Sequence, residues 1–399
     1  MVIEPMAFNG QLHRSRTEGS VLDFILSDDQ KLMQKMVKEL GEKSIAPAAA
    51  ETDRSGKFPW DSVKELARHN LLGVPISTQF GGAGAGHVTH TLVVEELSRA
   101  CANVGFICAV HTMSAETIDL FGSEEQKKKY LTPLAKGEKL GAFALTEPGA
   151  GSDVSSITTQ AVANENEFVL NGSKCFITNA GQAEVYVVFA STDRSKGASG
   201  ISAFIVEKGT SGFTFGGVED KIGLRASANG ELVFQDCHIP RENLLGSFGE
   251  GMRMALASLD RGRIGVAAMG VGIASAALDT AKSYARERVQ FGKPIASLEA
   301  IQFKIADMAT EVDAARLLAY RAANLADCGG RFTREAAMAK LYSSEAAMRT
   351  TLEAVQILGG YGLSRDHAVE RHMRDAKTLA LIEGTSEIQR LVVSRAELK

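Results

Sequence analysis

EFVLNGSKCFITNA (Glu167–Ala180), EVYVVFAST (Glu184–Thr192), ISAFIVEKG (Ile201–Gly209) and ELVFQDCHIP (Glu231–Pro240) mark a change of texture between Gly141 and Pro240. Short runs rich in Val, Ile and Phe, bounded by Gly, Asn and Pro, read as strands. Asn171-Gly172 has the composition of a tight hairpin turn between two of them, and Pro240, lacking an amide hydrogen, stops the last. The expectation is a small antiparallel sandwich or barrel.

Both flanks read as helical. On the amino-terminal side, Ser27 or Asp28 can cap a helix whose Leu32, Met36, Val37 and Leu40 share a face before Pro47. A second helix from Asp61 buries Val63, Leu66 and Ala67 and stops at Gly73, and others cover Thr89–Arg99 and Ser123–Leu131, the last with Ser123 and Gln126 at capping-box spacing. Beyond Gly251 strand texture disappears, and four long helical segments follow at 251–290, 295–327, 333–358 and 365–398, which packed side by side suggest a bundle. The expected α+β multidomain plan is a polar amino-terminal arm over 1–22, a helical amino-terminal domain over 23–140, a central β-domain over 141–250 and a carboxy-terminal four-helix bundle over 251–399.

Composition narrows the function. The chain has 399 residues, 45% apolar and 23% charged, with 44 Lys and Arg against 48 Asp and Glu. That balance argues against disorder and against nucleic-acid binding, which normally needs a basic excess. The longest uncharged stretch, Ile264–Leu278, is too short for a bilayer span and rich in Gly and Ala, so a buried helix is expected there. No apolar leader core opens the sequence, and Glu4 and Glu18 speak against a transit peptide, so secretion is not expected. Five widely spaced cysteines without a C-x-x-C pair fit a reducing compartment with neither disulfides nor structural zinc, and eight scattered histidines disfavour a metal site. The phosphate-loop, nucleophile-elbow and zinc-protease signatures are absent. GGAGAG at 81–86 lacks dinucleotide-fold spacing and reads as a surface loop.

Three strings carry chemistry. ALTEPGAGSDVSS (Ala144–Ser156) gathers Thr146, Ser152, Glu147 and Asp153 around Gly149 and Gly151 at the entry to the strand region. Glycines let a ligand approach the backbone and hydroxyls can donate to it, although an ordinary polar turn has the same composition. In KCFITNAG (Lys174–Gly181), period two places Phe176 and Thr178 on one face, an aromatic and a hydroxyl suited to a flat heterocycle or, for Phe176, to core packing. In ALIEGTSEIQR (Ala380–Arg390), Glu383 follows an apolar run and precedes Gly384. At the mouth of an apolar cavity, desolvation would raise its pKa and make it a general base near neutral pH. Solvated, it would leave Thr385 or Ser386 merely to cap the last helix.

Together these strings, with RERVQFGKPI (Arg286–Ile295) and QILGGYG (Gln356–Gly362), resemble the acyl-CoA dehydrogenases over nearly the whole chain. The resemblance implies oxidation of the Cα–Cβ bond of a thioester to a trans-2-enoyl-CoA. Glu383 would remove the α-proton, FAD would accept the β-hydride, and the Glu383 amide would help to hold the thioester oxygen. Flavin contacts carry over to Phe143, Leu145, Thr146, Gly151 and Ser152, to Phe176, Ile177 and Thr178, and to Thr385 and Glu387. Arg288, Phe291 and the Gln356–Gly360 segment, with Gly359 and Gly360, match positions that reach a neighbouring subunit's cofactor. Ser152, Asp260, Arg263 and Gly384 match substrate contacts, with an i, i+3 salt bridge the plain alternative for Asp260 and Arg263.

The resemblance further implies a homotetramer built as a dimer of dimers, an electron-transferring flavoprotein as electron acceptor, and a bacterial cytoplasmic or, in a eukaryote, mitochondrial matrix location. Similarity to butyryl-CoA and short branched-chain members favours a short substrate. An acyl-CoA oxidase and a non-catalytic flavoprotein or CoA-binding scaffold are the alternatives. Some members place the base where this chain has Gly262, which has no side chain to serve, and glutaryl-CoA enzymes carry an arginine aligned with Gly105. Glu299 replaces a common Gln near the adenosine end of the cofactor, an unfavourable charge unless paired.

Overall fold

The computed structural model describes residues 26–399, so the arm expected over 1–22 lies outside the described residues. Helices come first: α1 (Asp28–Leu40), α2 (Ala49–Ser55), α3 (Trp60–Arg68), α4 (Gly86–Ala100), α5 (Ala102–Phe121), α6 (Glu124–Gln126) and α7 (Thr132–Ala135). Ser27 caps α1 and Ser123 caps α6, each in a full capping box with the glutamine three residues on. On α1, Val37 and Leu40 are buried as expected, but Leu32 is exposed. The second predicted helix ends at Arg68 rather than Gly73. Helix α5 escaped sequence reading because it is apolar on nearly every face and shows no helical stripe.

The strands are β1 (Gly141–Ala144), β2 (Gln160–Ala163), β3 (Glu167–Ile177), β4 (Val185–Ser191), β5 (Ile201–Glu207), β6 (Phe213–Val218), β7 (Gly230–Pro240) and β8 (Leu244–Leu245). They form one mixed sheet in the order β6-β7-β3-β2-β4-β5-β8, with β1 parallel to β4. The strand region departs from the expected antiparallel sandwich or barrel. The sheet is an open path rather than a closed barrel, and it is not wholly antiparallel. Nor does Asn171-Gly172 turn the chain: both apolar runs belong to β3 and pair with β7, and the irregularity is in the partner strand, where Gln235 and Asp236 stand opposite Asn171 alone. Gly172 has φ +142° and lies so close to Thr159 that a Cβ would stand 2.7 Å from its Cα.

The remaining elements are α8 (Gly251–Glu287), the short pair β9 (Val289–Gln290) and β10 (Lys293–Pro294), α9 (Glu299–Asp327), α10 (Thr333–Leu358), α11 (Ala368–Leu379) and α12 (Ser386–Glu397). The segment expected as one helix over 365–398 is therefore two, interrupted at Ala380–Thr385. Helices α5 and α8 are long and apolar enough to cross a membrane by composition, yet 83% and 89% of their apolar windows are buried inside the protein.

The loop between β6 and β7 ties the sheet to both helical layers. Arg374 of α11 makes a bidentate pair with Asp53 of α2 at 3.0 and 2.7 Å and donates to the Ile222 carbonyl at 2.9 Å. Leu224 N donates to Asp375 Oδ1 at 2.7 Å, and Ala226 N to Asn103 Oδ1 of α5 at 2.8 Å. Breaking a partly buried pair leaves its partner uncompensated. Arg374→Met is expected to lower the thermal midpoint by several degrees in calorimetry. Arg54→Met, at an exposed pair with Glu51, should leave it unchanged.

Candidate active site

The interruption between α11 and α12 is built by three consecutive residues. Gly384 has φ +94°, a conformation that suits glycine, and Thr385 caps α12 by accepting from Ile388 N. Glu383 itself has φ +52°, a left-handed backbone that costs a non-glycine residue about 1–3 kcal/mol. The turn is held from outside. The Gly384 carbonyl accepts from Lys340 Nζ of α10 at 2.7 Å and from Gln389 Nε2 at 2.9 Å, and Gln389 Nε2 also reaches the Glu383 carbonyl at 3.3 Å.

The strained turn directs the Glu383 carboxyl inward. Both oxygens are buried and neither has a hydrogen-bond partner. Burial raises the pKa to about 7 against the opposing pull of Lys340 and Arg263. A Cβ at Gly262 of α8 would collide with Glu383 Oε2 and stand 2.5 Å from Met113 Sδ of α5. One turn further on, a Cβ at Gly265 would stand 3.1 Å from Ala109 Cβ. Glycines on α8 thus bring α5 and α8 together beside the carboxyl, and residue 262 and the carboxyl compete for one volume.

Nearby on α8, Arg263 is buried and donates to Asp260 at 2.7 Å, the plain i, i+3 pair. Thr333 Oγ1 donates to the other Asp260 oxygen at 2.6 Å, while Arg263 Nε is buried without a partner.

A second group lies at the edge of the sheet. Phe143 and Leu145 are buried, so their side chains serve the core, with Phe143 against Phe189 at 4.9 Å between centroids. Thr146 is half-buried, Ser152 is exposed, and Gly149 and Gly151 have open space where a Cβ would go. Beneath them Lys174, fully buried, donates to Glu147 at 2.8 Å and to the Leu145 carbonyl at 3.0 Å. Thr159 N and Thr158 Oγ1 also donate to Glu147, at 3.0 and 2.8 Å. Burial opposes ionisation of Glu147, but Lys174 and these donors outweigh it and hold the carboxyl down to about 2.

Strand alternation fails at Phe176, which has φ +55° and is 60% exposed, whereas Ile177 and Thr178 are buried. Phe176 is therefore not core packing, and it does not share a strand face with Thr178. Asn229 Nδ2 donates to both, at 2.8 Å to the Phe176 carbonyl and 3.2 Å to Thr178 Oγ1.

The third group is a cleft of about 480 Å³ lined by residues that include Arg288, Gly359, Gly360 and Tyr361. The Arg288 guanidinium stands 5.7 Å over the Tyr361 ring. Gln356 is exposed outside this lining. Phe291, 89% exposed with φ +53°, forms with Gly292 the two-residue turn between β9 and β10. Glu387 and Glu299 are exposed in the first turns of α12 and α9. Gly105 faces α4, where a Cβ would collide with Ser98 Oγ.

Sequence reasoning missed Lys340, Lys174, Asn229, Gln389 and Met113. Lys340 had a signal: with Ala336, Ser343, Ser344 and Ala347 it falls on one small-residue face of α10, all of it buried. Lys174 follows Phe168 and Leu170 on the inward alternation of β3.

Comparison with known proteins agrees with this architecture. The chain matches the acyl-CoA dehydrogenase N-terminal domain over residues 27–138, the middle domain over 142–237 and the C-terminal domain over 249–398. It belongs to the acyl-CoA dehydrogenase family. The short-chain specific acyl-CoA dehydrogenase of Clostridium acetobutylicum is 48% identical over 94% of this chain and 99% of that protein. The solved butyryl-CoA dehydrogenase of Megasphaera elsdenii superposes with a TM-score of 0.94 at 47% identity, covering 95% of this chain and all of that one. A chain from the structure described as the electron transferring flavoprotein of Acidaminococcus fermentans gives the same score at 46% identity and 95% coverage, again across its full length.

The raised pKa of Glu383 has a consequence for stability. The folded state binds this proton more tightly than the unfolded chain, so the contribution is present below about 4.5 and is lost as pH rises through about 7. Glu383→Gln removes the buried charge. It should unfold at a higher temperature than wild type at pH 8, the difference closing below pH 4.5, as read by calorimetry of the holoprotein.

Proposed function

We propose that this chain is a short-chain acyl-CoA dehydrogenase, acting on a straight or branched short acyl-CoA, with Glu383 as the base that takes the α-proton. The observation that carries the assignment is the pair of buried, unpartnered oxygens on Glu383. A carboxylate without donors keeps its basicity, and one poised near pH 7 is matched to proton abstraction. A scaffold with no chemistry would not need to bury such a group beside a strained turn.

The residues present fit a flavin. Gly149 and Gly151 leave the backbone open to a planar ring, Phe176 projects from the sheet, and the Lys174–Glu147 pair fixes the segment that presents Leu145 and Thr146. We assign Phe143, Leu145, Thr146, Gly151, Ser152, Phe176, Ile177, Thr178, Thr385 and Glu387 to FAD, Phe143 and Leu145 through their backbone. FAD supplies the hydride acceptor for the β-carbon when bound. Thr146, Ser152 and the amides around Gly151 orient it by hydrogen bonds. Arg288, Gly359 and Gly360 line the cleft, and we assign them, with Phe291 and Gln356, to the adenosine pyrophosphate of a second copy's FAD. A guanidinium fork suits that anion.

At the thioester, the Glu383 amide donates to the carbonyl oxygen, stabilising charge that grows as the α-proton leaves. Ser152, Asp260, Arg263 and Gly384 flank the CoA arm and the acyl chain. The close crossing of α5 on α8 at Ala109, Met113 and Gly265 supports a short acyl chain. We assign the electrons to an electron-transferring flavoprotein and the assembly to a homotetramer in which the three units 23–140, 141–250 and 251–399 each contribute to the site. The location that fits is the cytoplasm in a bacterium and the mitochondrial matrix in a eukaryote.

Anaerobic mixing of the holoenzyme with butyryl-CoA should bleach the flavin band, with slow return in air. An unchanged spectrum contradicts dehydrogenation, and reoxidation by air on the turnover timescale indicates an oxidase. Glu383→Gln should keep FAD while kcat falls roughly 10²- to 10⁴-fold or more. Retention of a tenth of the wild-type rate contradicts the assignment. Arg288→Ala should instead lose flavin on dialysis, read by absorbance, and full retention removes Arg288 from the cofactor site.

A further inference from the structure

Helix α10 contributes a residue to this centre that no motif flagged. Lys340 is fully buried, and among the described residues it has no carboxylate within ion-pair distance. A buried ammonium is costly and normally neutralises or finds a counter-charge. Its one hydrogen-bond acceptor is the Gly384 carbonyl at 2.7 Å, on the residue after Glu383. The same carbonyl already accepts from the neutral amide of Gln389 at 2.9 Å, so a hydrogen bond alone does not account for a lysine. What Lys340 adds is charge beside a carboxyl that has no partner of its own.

The charges acting on the Glu383 carboxyl come from two elements, Lys340 on α10 and Arg263 on α8. The Arg263 guanidinium is engaged with Asp260 at 2.7 Å. Helix α5 presents the apolar Met113, and Glu387 of α12 and Glu345 of α10 act on Lys340. Burial lowers the Lys340 pKa to about 8, with Glu383 foremost among the groups that oppose the fall.

We propose that Lys340 is a positioning residue for the base: its ammonium anchors the Glu383–Gly384 turn through the Gly384 carbonyl and supplies the uncommitted positive charge that lets the neighbouring carboxyl ionise in a dry site. The inference rests on the reading of Glu383 as the base. Desolvation and a nearby cation act on that carboxyl in opposite directions, and removing the cation leaves desolvation unopposed except by Arg263.

The test is the pH dependence of flavin bleaching by butyryl-CoA in the holoenzyme, with an infrared titration of the carboxyl stretch of the resting holoenzyme as a readout free of turnover. Lys340→Met removes donor and charge, and Lys340→Gln keeps a donor. Both should move the acid limb and the carboxyl titration upward by roughly one pH unit. Gln389→Leu removes the neutral donor to the same carbonyl and should slow bleaching with the midpoint in place. An unmoved midpoint in either lysine variant overturns the proposal. So does loss of FAD or of assembly in both, which makes Lys340 a prop of the fold. Glu383→Gln separates the two readings: if it still bleaches the flavin, the base assignment fails, and if it is inert while the Lys340 midpoints stay fixed, only Lys340 is excluded.

Discussion

A carboxyl group kept from water and given no hydrogen-bond donor is the constraint on which the rest of the molecule depends. Such a group is unfavourable wherever folding alone is concerned. Its persistence requires that the backbone carrying it be over-determined, and here it is. A non-glycine residue sits in left-handed conformation, the following carbonyl is gripped by a lysine and a glutamine, and the next helix starts at once on a threonine cap. Interrupting the last helical segment is the structural means by which a side chain leaves the bundle surface and enters its interior.

The sheet is subordinate to the same end. Its β6–β7 loop is fastened by Arg374, Asp375, Asn103 and Asp53, so α2, α5 and α11 are locked to the strand region at one junction. Through Asn229, at the end of that loop, the restraint continues to Phe176 and Thr178. Helix α11 runs directly from this junction to the turn bearing Glu383. Strand edge and Glu383 are thereby indexed to one another by buried polar contacts, which specify position more sharply than apolar packing does.

The layered plan was legible because periodicity switches twice along the chain, from helical to alternating and back, and switches of that kind survive errors in single elements. What failed was local. Asn171-Gly172 has the composition of a hairpin turn, and only its pairing to β7, across from the extra residue of that strand, shows that the chain runs straight through. Helix α5 hid because burial on nearly every face erases the stripe that betrays a helix. Phe176 broke alternation because its backbone turns over at the strand end, which no side-chain pattern records. Glu383 stood out in the sequence only through its surrounding string. The lysine that faces it lies 43 positions earlier in the chain, a relation that folding creates.

The crossing of α8 past the turn leaves one further mark. Residue 262 and the carboxyl of residue 383 claim a single volume, since even a methyl group on the helix would stand where an oxygen now lies. The two positions are thus alternative tenants, and a lineage that relocated its acid from turn to helix would have to vacate one before filling the other. The fold thus offers two seats for one carboxyl, and filling either of them closes the other.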